Sequence, residues 1–398
     1  MMAIERLHEL GQSLWLDHIT RDLLNSGKLK NYIDRWSVKG LSSDLTRFAH
    51  AIRGSTAYDA AIRKNTSEEK LGEELFFELA LEDLRHAADL FRPIFDQTDG
   101  VDGWVTLGVS PLSVHDADGI LTAARNLCFR AQRPNFFVTI PGTQAGLRAV
   151  EEAIFAGVPV NVTLLFCREH YLAAAEAFLR GIERRITAGL KPNVASIASV
   201  WVGWWDDAVK DELCEPQPNR VGIAMARQTY KAYRDVLGST RWQRAFNAGA
   251  RPQRLLWVGA KPAAPEGSDI LTISALAAPL TVNAMSAADL KAFAEHVDIL
   301  ELMPADGGNC ESVIDRIVES GIDIADRAAR LQKEAEHSLI ESWIDLMTVL
   351  ASRSADLATS NYIQREKEQK NENHFRHNGN SGVRICTLGG DNDRRYRS

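Results

Sequence analysis

Asp17 and Asp44 are the two carboxylates whose positions offer acid–base chemistry. Asp17 lies midway in the apolar run "LWLDHI" (14–19), and Asp44 closes the short run "GLSSD" (40–44). Two carboxyl groups at neighbouring strand ends raise one another's pKa, so that one can hold a proton while the other is ionised. Around them, Ser43, Thr139 in "NFFVTIPGTQAG", Thr163 in "VNVTLLF", Ser199 in "VASIASVWV" and Asn283 in "LTVNAM" offer hydroxyl and amide groups. Lys261, just past "RLLWVGA", supplies an amine. "VWVGWWDD" carries Trp201, Trp204 and Trp205. Alternate strand positions point to opposite faces, so Trp201 and at least one of the other two are expected at the same strand end as the carboxylates. Each residue also has a plainer role. Asp17 can cap a helix beginning near Ile19, Asp44 can be a solvated turn residue, and Lys261 can sit in a loop or bind an anion.

These residues fall at the ends of eight short apolar runs. They begin at residues 14, 40, 104, 136, 160, 194, 254 and 280, and most are followed by apolar residues spaced three and four apart. "REHYLAAAEAFLRGIERRI" and "DRIVESGIDIADRAARLQKEAEHSLIESWIDLMTVL" are clear amphipathic helices. Strands alternating with helices pair in parallel, and eight of them over this length predict a (β/α)₈ TIM barrel, with its chemistry at the carboxyl ends of the strands. The barrel is expected over residues 1–352. From 353 to 398 the chain is polar, rich in Asn, Arg and Gly, and reads as a disordered C-terminal tail.

Bulk properties narrow the function. A net charge of −7 argues against a protein built to bind nucleic-acid phosphates. No apolar run reaches membrane-spanning length, so no membrane insertion is expected. The N-terminus lacks a signal-peptide core, and five dispersed cysteines fit reduced thiols, so a cytoplasmic location is expected. The acidic run "DDAVKDE" (206–212) resembles a Mg²⁺-diphosphate motif, but acids in a first helical turn are favoured by the helix dipole alone. His115, in the loop after the third run, is expected to be a hydrogen-bonded loop residue rather than an acid or base. No nucleotide loop, HExxH or GxSxG occurs. Neither metal nor organic cofactor is expected, and the partner is a small-molecule substrate, with the oligomeric state left open.

In order along the chain, "SLWLDHITRDLLNSGKLKNYID", "KGLSSDLTRFAHAI", "VSPLSVHDADG", "IPGTQAGLRAVEEAIFAGVPVNVTLLF", "RVGIAMARQTYKAYRDVL" and "LTVNAMSAADLKAFAEH" resemble the long bacterial form of transaldolase from about residue 11 to residue 350. The resemblance implies a class I aldolase-type barrel that carries a dihydroxyacetone unit on a lysine Schiff base and transfers it between phosphosugars. It places the family's acid/base aspartate at Asp17, its substrate-binding asparagine at Asp44, and its water-activating glutamate at Gly108. The Schiff-base lysine falls at Thr139 and the phosphate-gripping arginine at Trp204. Thr163, Ser199 and the aromatic Trp201 match the family's residues. A Schiff base needs a deprotonatable amine, which threonine cannot supply. Replacing a phosphate-binding arginine by tryptophan favours a less charged, more apolar ligand.

The reading that follows is an enzyme on a transaldolase barrel that performs a different acid/base reaction (elimination, isomerisation or cyclisation) with Asp17, and with Asp44 as a second carboxyl. Ser43, Thr139, Thr163, Ser199, Trp201, Trp204, Gly108, Asn283 and Lys261 would line its pocket. One alternative is a transaldolase or aldolase acting on sugar phosphates through a relocated lysine, Lys261. A second is a non-catalytic homologue that binds a metabolite or a protein.

Overall fold

The computed structural model describes residues 3–212, 220–259, 270–296 and 302–379. Eight parallel strands, β1 (Gln12–Leu16), β2 (Gly40–Leu41), β3 (Trp104–Gly108), β4 (Phe136–Pro141), β5 (Val160–Leu165), β6 (Ser196–Trp201), β7 (Gln253–Val258) and β8 (Thr281–Met285), close in that order. β8 pairs back onto β1, with Leu14 opposite Asn283. This is a (β/α)₈ TIM barrel, and each strand overlaps one of the eight apolar runs, although β1 takes in only the first three residues of "LWLDHI" and ends before Asp17.

The interior is layered. At the amino-terminal end the buried guanidinium of Arg254 bonds Asp102 Oδ1 at 2.9 Å and Ser13 Oγ at 2.6 Å, so the charge that closes the floor is paired. Above it Trp15, Trp104, Phe137, Ile197, Leu256, Val282 and Ala284 form a compact apolar layer, with Trp104 and Phe137 stacked at 4.1 Å. The outward positions of the same strands, such as Leu14, Leu16, Val105, Val138 and Leu255, join the larger core beneath the helices.

Gly40 is needed for the indole of Trp15 to lie inside the barrel. A β-carbon there would meet Trp15 Cε2 at 2.5 Å and the Trp104 carbonyl oxygen at 2.7 Å. Gly40→Ala is therefore expected to cost about 1–3 kcal/mol or more, as overpacking in a filled core does. Urea midpoints measure this, and a variant with an unchanged midpoint would show that the layer relaxes freely.

Side-chain caps set where the helices of the carboxyl-terminal face begin. Thr20, Asp44, Asp116 and Thr143 each accept a hydrogen bond from the backbone N–H three residues on. The last helix, Ile324–Gly379, follows a break after the helix Cys310–Glu319. It continues past residue 353, where composition alone predicts the start of a disordered tail. Arg353 bonds both carboxylate oxygens of Asp59 at 2.8 and 2.9 Å, and Leu357 is buried in the main core. A helix already nucleated by a packed segment propagates through polar residues without needing its own apolar face. No helix among the described residues is long and apolar enough to cross a membrane.

Candidate active site

The mouth of the barrel is formed by the last inward-facing strand positions. Asp17, Gly108, Thr139, Thr163, Trp201 and Val258 are each only half-buried, while their outward-facing neighbours are buried. Beneath them a polar chain crosses four strands. The Ser199 hydroxyl donates to Asn161 Oδ1 at 2.7 Å, and Asn161 Nδ2 donates to Thr139 Oγ1 at 3.2 Å. Thr139 Oγ1 also shares a short hydrogen bond with Thr106 Oγ1. Every link is neutral, and Thr139 is engaged by two partners of which neither is a base. Its hydroxyl is thus held as a fixed dipole and lacks the activation a nucleophile needs. Thr106 and Asn161 were not singled out from the sequence. The available signal was a polar side chain two residues before Gly108 and two before Thr163, on the same strand face.

Thr163 accepts from the indole Nε1 of Trp201 at 3.0 Å, which lays the Trp201 ring along the β5–β6 side of the mouth. Trp204 is buried behind it, edge-on at 5.7 Å, with Phe166 at 6.1 Å. Trp205 is fully buried and donates to the Phe166 carbonyl at 2.7 Å. Trp201 therefore presents the tryptophan surface at the mouth, and the other two support it from behind. β5 carries a bulge between Val162 and Leu165, with Leu164 at φ +62°. Gln332 of the last helix donates to the Leu164 carbonyl at 2.8 Å, satisfying the oxygen that the bulge removes from the ladder.

Gly108 leaves room. A β-carbon placed on it would meet nothing within 4 Å, so the space between β3 and the mouth is open where most other barrel positions are filled. Asp17 follows the last residue of β1, and its backbone N–H bonds the Met285 carbonyl at 3.0 Å. Its Oδ1 lies 2.6 Å from His18 Nδ1 and its Oδ2 lies 3.7 Å from Arg47 Nη2. Asp17 is not a helix cap, because Thr20 caps the helix that follows.

Asp44 accepts from the Arg47 backbone N–H at 2.7 Å and so caps the helix Leu45–Gly54. Burial raises its pKa, and the negative charge of Asp17 adds to the rise against the opposing pull of Arg47 and His18. The sign is informative. A carboxyl whose folded pKa exceeds the unfolded one stabilises the fold below about pH 4, and that contribution is lost as pH rises through the folded value. Asn caps helices as well as Asp does. Asp44→Asn is therefore expected to be at least as stable as the parent at neutral pH, with the difference closing below about pH 4. Denaturant titrations at both pH values decide this, and a variant weaker at neutral pH by about 1 kcal/mol would show that the charged cap is the stabilising form.

Other sequence candidates are placed differently. Asn283 is a correction. Val282 and Ala284 lie in the inner layer, so Asn283 between them faces the helices, where it is buried with its Nδ2 unpaired. Ser43 is half-buried in the turn between β2 and the Asp44 cap. Lys261 lies outside the described residues. Among those that are described, no inward strand position carries a lysine. His115 Nε2 pairs with Glu336 of the last helix at 3.0 Å on the surface. Asp206 of the acidic run lies in the first turn of the helix Trp205–Val209 and accepts from the Val221 and Gly222 backbone N–H groups, at the start of the helix Arg220–Gly238, at 3.1 Å each. A surface cavity of about 420 Å³ lined by His115, Asp118, Arg148 and Glu152 contains none of the mouth residues.

Comparison with known proteins supports the same architecture. Residues 14–350 match the family described as Transaldolase/Fructose-6-phosphate aldolase. The chain belongs to this family. It is 35% identical over 361 residues to the "Transaldolase" of Thermobifida fusca, covering 88% of this chain and 98% of that one. It is 33% identical to the "Transaldolase 2" of Streptomyces coelicolor, over 90% of this chain and 99% of that one. Identity to the "Transaldolase 2" of Nostoc punctiforme is 32%, over 80% and 88% of the two chains. Within this transaldolase-family barrel, Asp17 stands just past the end of β1 and Thr139 is held among neutral partners.

Proposed function

We propose that this transaldolase-family barrel carries out acid–base chemistry on a small carbonyl substrate through Asp17, without a Schiff base at residue 139. The observation that carries this reading is the bonding of Thr139. Its hydroxyl is tied to Thr106 and Asn161, and no amine occupies an inward strand position among the described residues. Asp17 can take a proton from carbon or oxygen next to a carbonyl and return it, which is the common element of isomerisation and elimination. Thr139, the half-exposed member of the neutral chain, suits a hydroxyl or carbonyl group, and the Trp201 ring suits an apolar or sugar-ring face. The ligand this supports is less charged than a bisubstrate pair of phosphosugars.

A second reading is supported by the relatives' names, which favour transaldolase chemistry more directly than a changed reaction. Here the protein acts on sugar phosphates through the amine of Lys261. Borohydride reduction in the presence of fructose 6-phosphate, followed by peptide mass spectrometry, separates the two. The acid–base reading expects no reduced adduct on any lysine. It also expects uptake of solvent deuterium next to the carbonyl of an unphosphorylated ketose or of fructose 6-phosphate. A reduced adduct on Lys261 would replace the first reading with the second.

A further inference from the structure

Among the described residues, His18 is the titratable side chain hydrogen-bonded to Asp17. We propose that His18 is a positioning residue for Asp17: its Nδ1–H holds Oδ1 of the carboxylate and leaves Oδ2 as the oxygen that exchanges protons at the mouth. The proposal rests on the acid–base reading of Asp17 and specifies how that carboxylate is aimed.

Neighbouring residues of an extended strand point to opposite faces, so Asp17 and His18 can meet only where the strand has ended. β1 ends at Leu16, and Asp17 Oδ1 and His18 Nδ1 then approach to 2.6 Å. A solvent-exposed pair would gain little from this contact, but the His18 side chain is only 12% exposed, against 36% for Asp17. The ring is therefore pinned while the carboxylate reaches the open mouth. An ionised carboxylate only accepts hydrogen bonds, so the proton shared between the two side chains belongs to Nδ1. The charged groups facing the pair come from the segment after β2. Arg47 Nη2 stands 3.7 Å from Oδ2, and the charge of Asp44 responds to both Asp17 and His18. The Arg47 side chain is 46% exposed, so this longer contact can yield to a substrate while the His18 bond stays.

The test uses the full-length protein with ¹⁵N-labelled histidine and two variants. In the parent, Nδ1 of His18 is expected to carry a proton, and Asp17→Ala, which removes the acceptor, should abolish that preference. His18→Asn places an amide N–H where Nδ1–H stood and is expected to keep the deuterium-exchange kcat within about threefold. His18→Leu removes the donor and is expected to lower kcat by about 10–100-fold with little change in KM, by analogy with the loss of an outer-shell group that orients a metal ligand. A parent ring protonated only at Nε2 would overturn the pairing. Equal losses in His18→Asn and His18→Leu would overturn positioning, since His18 would then carry the proton itself. If the parent shows no exchange on either sugar, the acid–base reading of the site fails, and the ring tautomer still decides whether His18 holds Asp17.

Discussion

Asp17→Asn is expected to lower the rate of solvent-deuterium exchange into the substrate by about 10²–10⁴-fold, the range attributed to a single positioned general acid or base. The substitution is nearly isosteric, so its effect on folding should be small. The half-exposed side chain makes its contacts to His18 Nδ1 and, at longer range, to Arg47. An amide cannot accept and release a proton near neutral pH, and the neighbouring groups cannot replace it. Thr139 is engaged by Thr106 and Asn161, Ser199 by Asn161, and Thr163 by Trp201. Asp44 is the second carboxyl nearby, and it is already committed to the Arg47 backbone N–H. Thermal melts run beside the exchange assay distinguish loss of chemistry from loss of fold. Exchange within about threefold of the parent, in a variant that melts normally, would remove Asp17 from the mechanism and favour a binding role for the mouth.

The second large effect concerns the segment that holds Asp17 in place. Asp83 is 2% exposed and uses both carboxylate oxygens, accepting from Arg21 Nε at 2.7 Å and from the Tyr58 hydroxyl at 2.8 Å. Arg21 opens the helix that follows Asp17 by four residues, lies over the Tyr58 ring at 4.6 Å, and is itself 9% exposed. Removing Asp83 leaves a buried guanidinium and a buried phenol without their common acceptor. Asp83→Ala is expected to cost about 3–5 kcal/mol, as loss of one partner of a buried ion pair does. Glu82 also contacts Arg21 at 2.8 Å, but it is 61% exposed and offers only partial compensation. Urea unfolding followed by tryptophan fluorescence measures the effect. A loss below about 1 kcal/mol would show that Glu82 takes over the pair. Because Arg21 anchors the turn beginning at Asp17, exchange activity should fall with stability, and a stable variant that is inactive would reveal a positional role for this pair.

The elements were legible because each strand of a parallel barrel is buried on both faces and reads as a short apolar run between amphipathic helices. The same property hid the faces. In "LTVNAM" nothing in the residue types says that Val282 and Ala284 point inward, so Asn283 was expected at the mouth when its side chain faces the helices. "VWVGWWDD" likewise identified three tryptophans, but not that Trp201 alone of them is half-exposed at a strand end. Thr106 and Asn161 were overlooked because they stand inside strands rather than at the ends where barrel chemistry is sought. Their importance comes from a hydrogen-bonded chain across four strands that are far apart in sequence.

By itself the sequence determined the barrel, the order of its strands and the presence of Asp17 at the end of the first. These depend on local patterning and on motif order, both of which are written along the chain. Only the tertiary structure decided which polar groups share a face, that Thr139 is bonded to neutral neighbours, and that His18 bends back onto Asp17 once β1 has ended. It alone showed that Gln332 supports the β5 bulge from 168 residues away. Hydrogen bonds depend on direction and distance in space, and closing a sheet on itself sets both for residues whose spacing along the chain records neither.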